Sequence, residues 1–152
     1  MIKNFKERKE TKYIIVHCSA TRPSQDFGVR EIRQMHRERG FLDVGYHYII
    51  KRNGDIENGR KETQLGAHCK GLNDVSVGVC LVGGIDESGK PEANFTEDQM
   101  KALKLLLMML QETYLYADIR GHHDFAAKAC PSFHVKHWIE TGEVKDHFEK
   151  EI

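Results

Sequence analysis

The chain has 152 residues, of which 39% are hydrophobic and 30% carry a charge, and these proportions are typical of a single globular domain. Its 23 basic and 23 acidic side chains cancel, so net charge gives no basis for binding nucleic acid or an anionic surface. No apolar run approaches the roughly 18 residues that a membrane span needs, so we do not expect a membrane protein.

The N-terminal segment, residues 1–12, is polar, and no apolar signal-peptide stretch precedes Tyr13. We therefore expect the protein to accumulate in the cytoplasm, with residues 1–12 loosely held and residues 143–152 forming a polar tail. In a reducing compartment cysteines are expected to be free thiols, and any special one to be a metal ligand or a nucleophile. The four cysteines are Cys18, Cys69, Cys80 and Cys130, without a CxxC pair.

The first half of the chain predicts a strand, a helix and a hairpin. A run of β-branched and aromatic residues indicates the first strand, which ends in His17. Asn53-Gly54 is a strong turn signal, and alternation in the strand before it predicts that Tyr46 shares a face with Tyr48 and Ile50. The elements are a strand at 13–17, a helix at 28–39, a strand at 46–51 and a returning arm at 55–57.

The second half predicts a long surface loop, a central strand and two helices. The loop contains His68, a candidate substrate contact, because long loops in compact domains are often functional. Thr96 and Gln99 form a capping-box signature before a helix whose apolar stripe is wide enough to predict burial on more than one side. The elements are a loop at 58–74, a strand at 75–84, a helix at 96–114, a short strand near Ile119 and a helix at 131–141.

This order of elements predicts an α/β fold, a single domain with a mixed central β-sheet flanked by helices. Cys80 is expected to be a core thiol, and the last helix is expected to be amphipathic. The residues predicted to face inward from that helix are Val135, Trp138 and Ile139, and those predicted to lie at the surface are His134, His137 and His147.

The segment RGHHDFAAKACPSF, residues 120–133, concentrates side chains that bind metals. Imidazole nitrogen and thiolate sulfur are ligands that zinc prefers, and catalytic zinc usually takes three protein ligands and one water. Either His122 or His123, together with Cys130, would supply two of the three. The alternative is a polar loop around a buried cysteine.

His17 is the candidate for the third ligand, because a strand end holds a side chain rigidly. Lys128 lies two residues before Cys130 and could stabilise an oxyanion, and Tyr46 could do the same or transfer a proton. A zinc ion that activates water beside such groups indicates hydrolysis of an amide. The alternatives left open are a structural strand-end histidine and a core tyrosine with a solvated hydroxyl.

A family resemblance covers about residues 5 to 140 and is carried by five segments. They are HCSAT (17–21), GVREIRQMHRERGFLDVGYHYIIKRNG (28–54), SVGVCLVGGID (76–86), ANFT (93–96) and HHDFAAKACPSF (122–133). Together they resemble the zinc-dependent N-acetylmuramoyl-L-alanine amidases of the phage-lysozyme type, within the family that includes the peptidoglycan recognition proteins.

The resemblance implies one Zn²⁺ ion bound by His17, His122 and Cys130, with Tyr46 and Lys128 catalytic and His68 lining the cleft. The bond cleaved would join the lactyl group of N-acetylmuramic acid to the L-alanine of the stem peptide in peptidoglycan. A monomer is expected, which would reach the cell wall after release through a holin or another route.

Three alternatives remain. The first is a peptidoglycan-binding module without hydrolysis, although that branch typically lacks the cysteine ligand. The second is a cysteine hydrolase that uses Cys18 or Cys130, although no signature of such enzymes is present. The third is a regulator of a phage-type RNA polymerase, because a phage member of the family inhibits its polymerase through an N-terminal segment, which corresponds to residues 1–12 here.

Overall fold

The structure is a computed structural model that describes residues 5–146. The elements are β1 (Tyr13–Cys18), α1 (Val29–Glu38), β2 (Tyr48–Ile50), β3 (Ile56–Asn58), β4 (Ser76–Leu81), α2 (Glu97–Thr113), β5 (Asp118–Gly121) and α3 (Val135–Thr141), with a 3₁₀ turn at His122–Asp124. The predicted helices and strands are therefore present, with ends that differ by a few residues. His147, most of the predicted tail 143–152 and the beginning of the segment 1–12 lie outside the described residues.

The five strands form one sheet in the order β3-β2-β4-β1-β5. β1 pairs in parallel with β4 and β5, β2 pairs in parallel with β4, and β3 is antiparallel to β2. This confirms the predicted mixed sheet, with the apolar strand β4 at its centre. Because β1 and β5 are parallel neighbours, their carboxyl ends lie at the same edge of the sheet, although they are about a hundred residues apart in sequence.

The two faces of the sheet are covered by different helices. On one face, Val16, Val79 and Ile50 pack against α2 and α3. On the other face, Ile49 and Cys80 pack in a smaller cluster with Ile32 of α1. His17 is opposite Cys80 in the strand register and so lies on the α1 face.

The long helix α2 is capped as predicted, but only one of its sides is buried. Thr96 Oγ1 accepts a hydrogen bond from the Gln99 amide at 3.1 Å, and the Gln99 side chain accepts one from the Thr96 amide. The prediction of burial on several sides is wrong, because the helix lies on the outside of the sheet. Leu105, Met108 and Met109 are 62%, 54% and 66% exposed, and Ile139 of α3, predicted to face inward, is 46% exposed.

Among the described residues, none of the helices has the length and apolar character that a membrane span requires.

Tyr46 does not share a face with Tyr48 and Ile50. It packs instead in the cluster on the α1 face, beside Ile49. The predicted alternation fails because β2 begins at Tyr48, so the backbone at Tyr46 does not follow the pleat of the strand. This difference matters because the α1 face is the one that carries His17.

The loop between β3 and β4 is more buried than predicted. His68 and Cys69 are buried, and so is Arg60, whose guanidinium donates to the carbonyl of Val44 at 2.9 Å. The amide of Ala67 donates to the carbonyl of Gly45 at 3.0 Å. The loop therefore satisfies its polar groups internally, which is the condition for burying irregular backbone.

The part of the N-terminal segment that the structure describes is bound to this loop. Leu65 donates its amide to the Lys6 carbonyl at 2.7 Å, and the Arg8 amide donates to Thr63 at 2.8 Å. The Lys12 amide donates to the Val75 carbonyl at 2.7 Å. The prediction of a loosely held segment is therefore wrong for residues 6–12.

His36 and His47 are buried imidazoles that the fold favours in the neutral form. The Nδ1 atom of His36 accepts from the Gly45 amide at 2.8 Å, and that of His47 accepts from the Gly78 amide at 2.9 Å. Burial is the main cause that lowers the pKa of each to about 4. An unfolded histidine, with a pKa of about 6.5, takes up its proton earlier as the pH falls. Between about pH 6.5 and 4 the unfolded state therefore binds more protons than the folded state. As the pH falls through this window, each of the two histidines is expected to lower the free energy of unfolding by up to about 3 kcal/mol.

Urea unfolding of the protein in the presence of a chelator, at several values between pH 7 and 4, would measure this effect. The free energy of unfolding should fall through the window, and replacement of His36 by asparagine should flatten the fall, since an amide oxygen accepts the same hydrogen bond without titrating. An unfolding free energy that does not change from pH 7 to 4 would contradict the assignment.

Candidate metal centre and active site

His17 is the penultimate residue of β1 and is buried at the carboxyl edge of the sheet. Its ring centroid lies 4.5 Å from that of His122, 5.0 Å from that of Tyr46 and 4.9 Å from that of His68. A residue delivered by a central strand thus has three candidate site residues around it.

His122 and Cys130 arrive from the loop that follows β5. His122 comes directly after that strand, and the loop returns so that the His123 amide donates to the Cys130 carbonyl at 2.9 Å. The Cys18 amide donates to the Cys130 sulfur at 3.2 Å. A side chain at Gly84 would bring its Cβ to 2.4 Å from the Cys18 sulfur, and Gly84 has a φ of +102°. Glycine is therefore required behind this part of the site.

The ligand atoms of His17, His122 and Cys130 lie within 4.8 Å of one another. Cys130 Sγ is 3.9 Å from His17 Nδ1, which is less than the sum of a Zn–S and a Zn–N bond, about 4.3 to 4.4 Å. One ion could therefore bond both atoms. Two imidazoles and a thiol form a donor set suited to zinc, so the residues fit a metal ion.

The protonation states of His17, His122 and Cys130 are compatible with binding a metal ion. Burial, followed by the neighbouring His68, His122 and Lys128, holds the pKa of His17 well below its usual value. Burial, followed by Lys128 and His123, lowers the pKa of His122 to about 4. Both imidazoles are therefore neutral at physiological pH and have a lone pair for a cation. The adjacent Cys18 thiol and burial raise the pKa of Cys130, so a bound cation would displace the proton of this thiol.

His123 points away from this group. Its ring packs edge-on against that of His134, with centroids 5.7 Å apart, and its Nδ1 lies 3.6 Å from Asp124. The structure thus brings His122, and not its neighbour, to His17 and Cys130. His134 was predicted to lie at the surface but is partly buried in this contact.

Tyr46 and Lys128 both act on this group of residues. Burial, followed by the thiols of Cys80 and Cys130, raises the pKa of Tyr46 well above its usual value, so that its hydroxyl stays protonated and can donate. Lys128 is exposed on the loop, and its positive charge contributes to the low pKa of His122. The arrangement places one cationic group and one hydrogen-bond donor near the three candidate metal ligands.

His68 has a different position from the one predicted. It is buried, with its Nδ1 atom 2.8 Å from His17 Nε2 and its Nε2 atom 3.2 Å from Ser76 Oγ. Both ring nitrogens are therefore engaged within the protein, which does not suit a hydrogen-bonding contact to substrate. Ser76 was not predicted as part of the site, because a serine at the start of a strand carries no signal that it faces a histidine eight residues earlier.

Comparisons with known proteins agree with the resemblance seen in the sequence. The family model described as N-acetylmuramoyl-L-alanine amidase matches residues 7–133. The chain is 59% identical over 140 residues to an endolysin of Escherichia phage T7, an alignment that covers 92% of this chain and 93% of that protein.

Solved structures extend the comparison. An endolysin N-acetylmuramoyl-L-alanine amidase from Clostridium intestinale superposes with a TM-score of 0.74 and 26% identity, over 85% of this chain and 80% of its own. Bumblebee peptidoglycan recognition protein SA shares the fold, with a TM-score of 0.76 and 23% identity over 91% of this chain and 86% of its own. The chain therefore belongs to the N-acetylmuramoyl-L-alanine amidase family.

Proposed function

We propose that this protein is a zinc amidase that hydrolyses the bond between N-acetylmuramic acid and L-alanine in peptidoglycan. The observation that carries the proposal is the convergence of the His17, His122 and Cys130 ligand atoms within 4.8 Å, beside Tyr46 and Lys128. Family membership supports the choice of amide hydrolysis, and the two nitrogen donors and one sulfur donor support zinc.

When bound, zinc supplies a Lewis acid that polarises the substrate carbonyl and lowers the pKa of a water molecule to about 7. The positive charge of Lys128 stabilises the oxyanion that develops on the carbonyl oxygen during attack by water. The protonated hydroxyl of Tyr46 donates a hydrogen bond to the reacting group. His17 and His122 would hold the ion as neutral ligands, and the Cys18 amide would stabilise the negative sulfur of Cys130.

One chain supplies the three ligands together with Tyr46 and Lys128, so we propose that the monomer is active. Similarity to phage endolysins over most of the chain supports a role in lysis, with the enzyme reaching peptidoglycan from inside the host cell after release.

Digestion of purified peptidoglycan followed by mass spectrometry of the products tests the reaction. Zinc-loaded protein should produce new L-alanine amino termini and no new reducing sugar ends. A chelator should abolish the products and added zinc should restore them, whereas a cysteine hydrolase would instead be inactivated by a thiol-alkylating reagent and be indifferent to the chelator. New reducing ends, or products that form equally in the chelator, would refute the proposed function.

A further inference from the structure

A chain of hydrogen bonds leads from His17 to a backbone carbonyl behind the site. His17 Nε2 is 2.8 Å from His68 Nδ1, His68 Nε2 is 3.2 Å from Ser76 Oγ, and the Ser76 hydroxyl donates to the Leu72 carbonyl at 2.7 Å. The side chains of His17, His68 and Ser76 are all buried. This series of hydrogen bonds therefore runs through the interior, away from the exposed loop that carries Lys128.

The Leu72 carbonyl at the end of this series determines the direction of every hydrogen bond in it. Leu72 O can only accept, so the single hydroxyl proton of Ser76 is donated to it. Ser76 Oγ must then accept from His68, which places the proton of the neutral His68 ring on Nε2 and leaves Nδ1 as an acceptor. His17 consequently donates from Nε2, and its Nδ1 atom, 3.9 Å from the Cys130 sulfur, is left with a free lone pair.

The backbone around His68 is shaped to hold this ring in place. A side chain at Gly78 would bring its Cβ to 2.7 Å from His68 Cγ, and one at Gly66 would come to 2.6 Å from His68 Cδ2. Asn73 Oδ1 accepts from the His68 amide at 2.8 Å and from the Cys69 amide at 2.9 Å. The imidazole thus packs directly against two glycines, and Asn73 holds the backbone that carries it.

We propose that His68 and Ser76 are positioning residues for metal binding, which hold His17 with Nε2 protonated and Nδ1 directed at the ion. Outer partners of this kind orient a ligating histidine and raise its basicity, and their loss typically weakens metal binding about 10- to 100-fold. The inference rests on the proposed function only in taking His17 as a metal ligand.

Zinc affinity, measured by competition with a chromophoric chelator, tests the proposal through paired variants. His68→Phe keeps a ring of similar shape but removes both nitrogens, and it should weaken zinc binding about 10- to 100-fold. His68→Asn returns an acceptor near the Nδ1 position and should recover most of the affinity. The matched control is His47→Phe, which removes another buried imidazole that packs against His68, with ring centroids 5.8 Å apart, but whose nitrogens bond Gly78 and Gln64 rather than His17. That control should bind zinc within about twofold of the wild type.

Nuclear magnetic resonance of the unsubstituted protein provides a second measurement that does not depend on a variant folding. In ¹⁵N-labelled metal-free protein, the His17 Nε2 proton should be observable and coupled through the hydrogen bond to His68 Nδ1. Protonation of His17 at Nδ1, protonation of His68 at Nδ1, or wild-type zinc affinity in His68→Phe would each overturn the proposal. Wild-type protein that binds zinc and shows the coupling, yet releases no L-alanine amino termini, would support the positioning role while refuting the proposed function.

Discussion

Replacement of Cys130 by serine is expected to lower zinc affinity by more than about 100-fold, since even the loss of an outer partner of a metal ligand costs about 10- to 100-fold. Amidase activity should fall to background with the metal. The reason lies in the donor atom, because a neutral hydroxyl is a poor substitute for a thiolate at a soft site. The Cys18 amide that now donates to sulfur would face a group without the negative charge that makes this bond strong.

Metal content after dialysis, together with product analysis at saturating zinc, measures this effect. Cys69→Ser is the matched control, because Cys69 is a second free thiol that does not belong to the group of ligand atoms around His17. The control should retain one zinc ion and its activity. A Cys130→Ser protein that turned over substrate at the wild-type rate without bound metal would remove Cys130 from the ligand set.

Replacement of Lys128 by alanine is expected to separate catalysis from metal binding. Removing one group that stabilises an oxyanion costs about 10²- to 10³-fold in kcat, whereas zinc affinity should stay near that of the wild type. Lys128 is exposed and reaches the site through its charge, so little packing is lost. With this charge removed, the pKa of His122 should rise from its value of about 4, because Lys128 is the second cause of the shift after burial.

Steady-state kinetics on a soluble muropeptide, with zinc content measured on the same samples, would show the separation. Lys136→Ala removes another exposed lysine, on α3, and should leave kcat unchanged. Wild-type kcat in the Lys128 variant would exclude the lysine from the reaction, and loss of zinc would assign it to metal binding instead.

Local sequence signals were sufficient for most of the elements. The β-branched run of β1, the Asn53-Gly54 turn and the Thr96–Gln99 capping box each predicted an element that the structure contains. These signals succeed because strand, turn and cap preferences arise from contacts between residues close in sequence. The types of side chain in segment 120–133 predicted a metal site, and two of the three candidate ligands lie in this segment.

Local sequence signals did not predict which face of each element is buried or what packs against it. Leu105, Met108 and Met109 form part of an apolar stripe, yet they are exposed because exposure depends on what packs against the helix. Tyr46 changes face because β2 starts two residues after it.

The sequence by itself determined the α/β class and the order of the elements, and it predicted a metal site formed by His17, Cys130 and one of two adjacent histidines. The spacing left His122 and His123 open, and the family resemblance implied His122. Only the tertiary structure brought His122 beside His17 and Cys130 and placed the buried His68 ring against His17 Nε2 rather than toward the substrate. The physical reason is distance along the chain. The candidate metal site lies where the parallel neighbours β1 and β5 end at the same edge of the sheet. Its residues are about a hundred positions apart in sequence, so they meet only when those two strands pair.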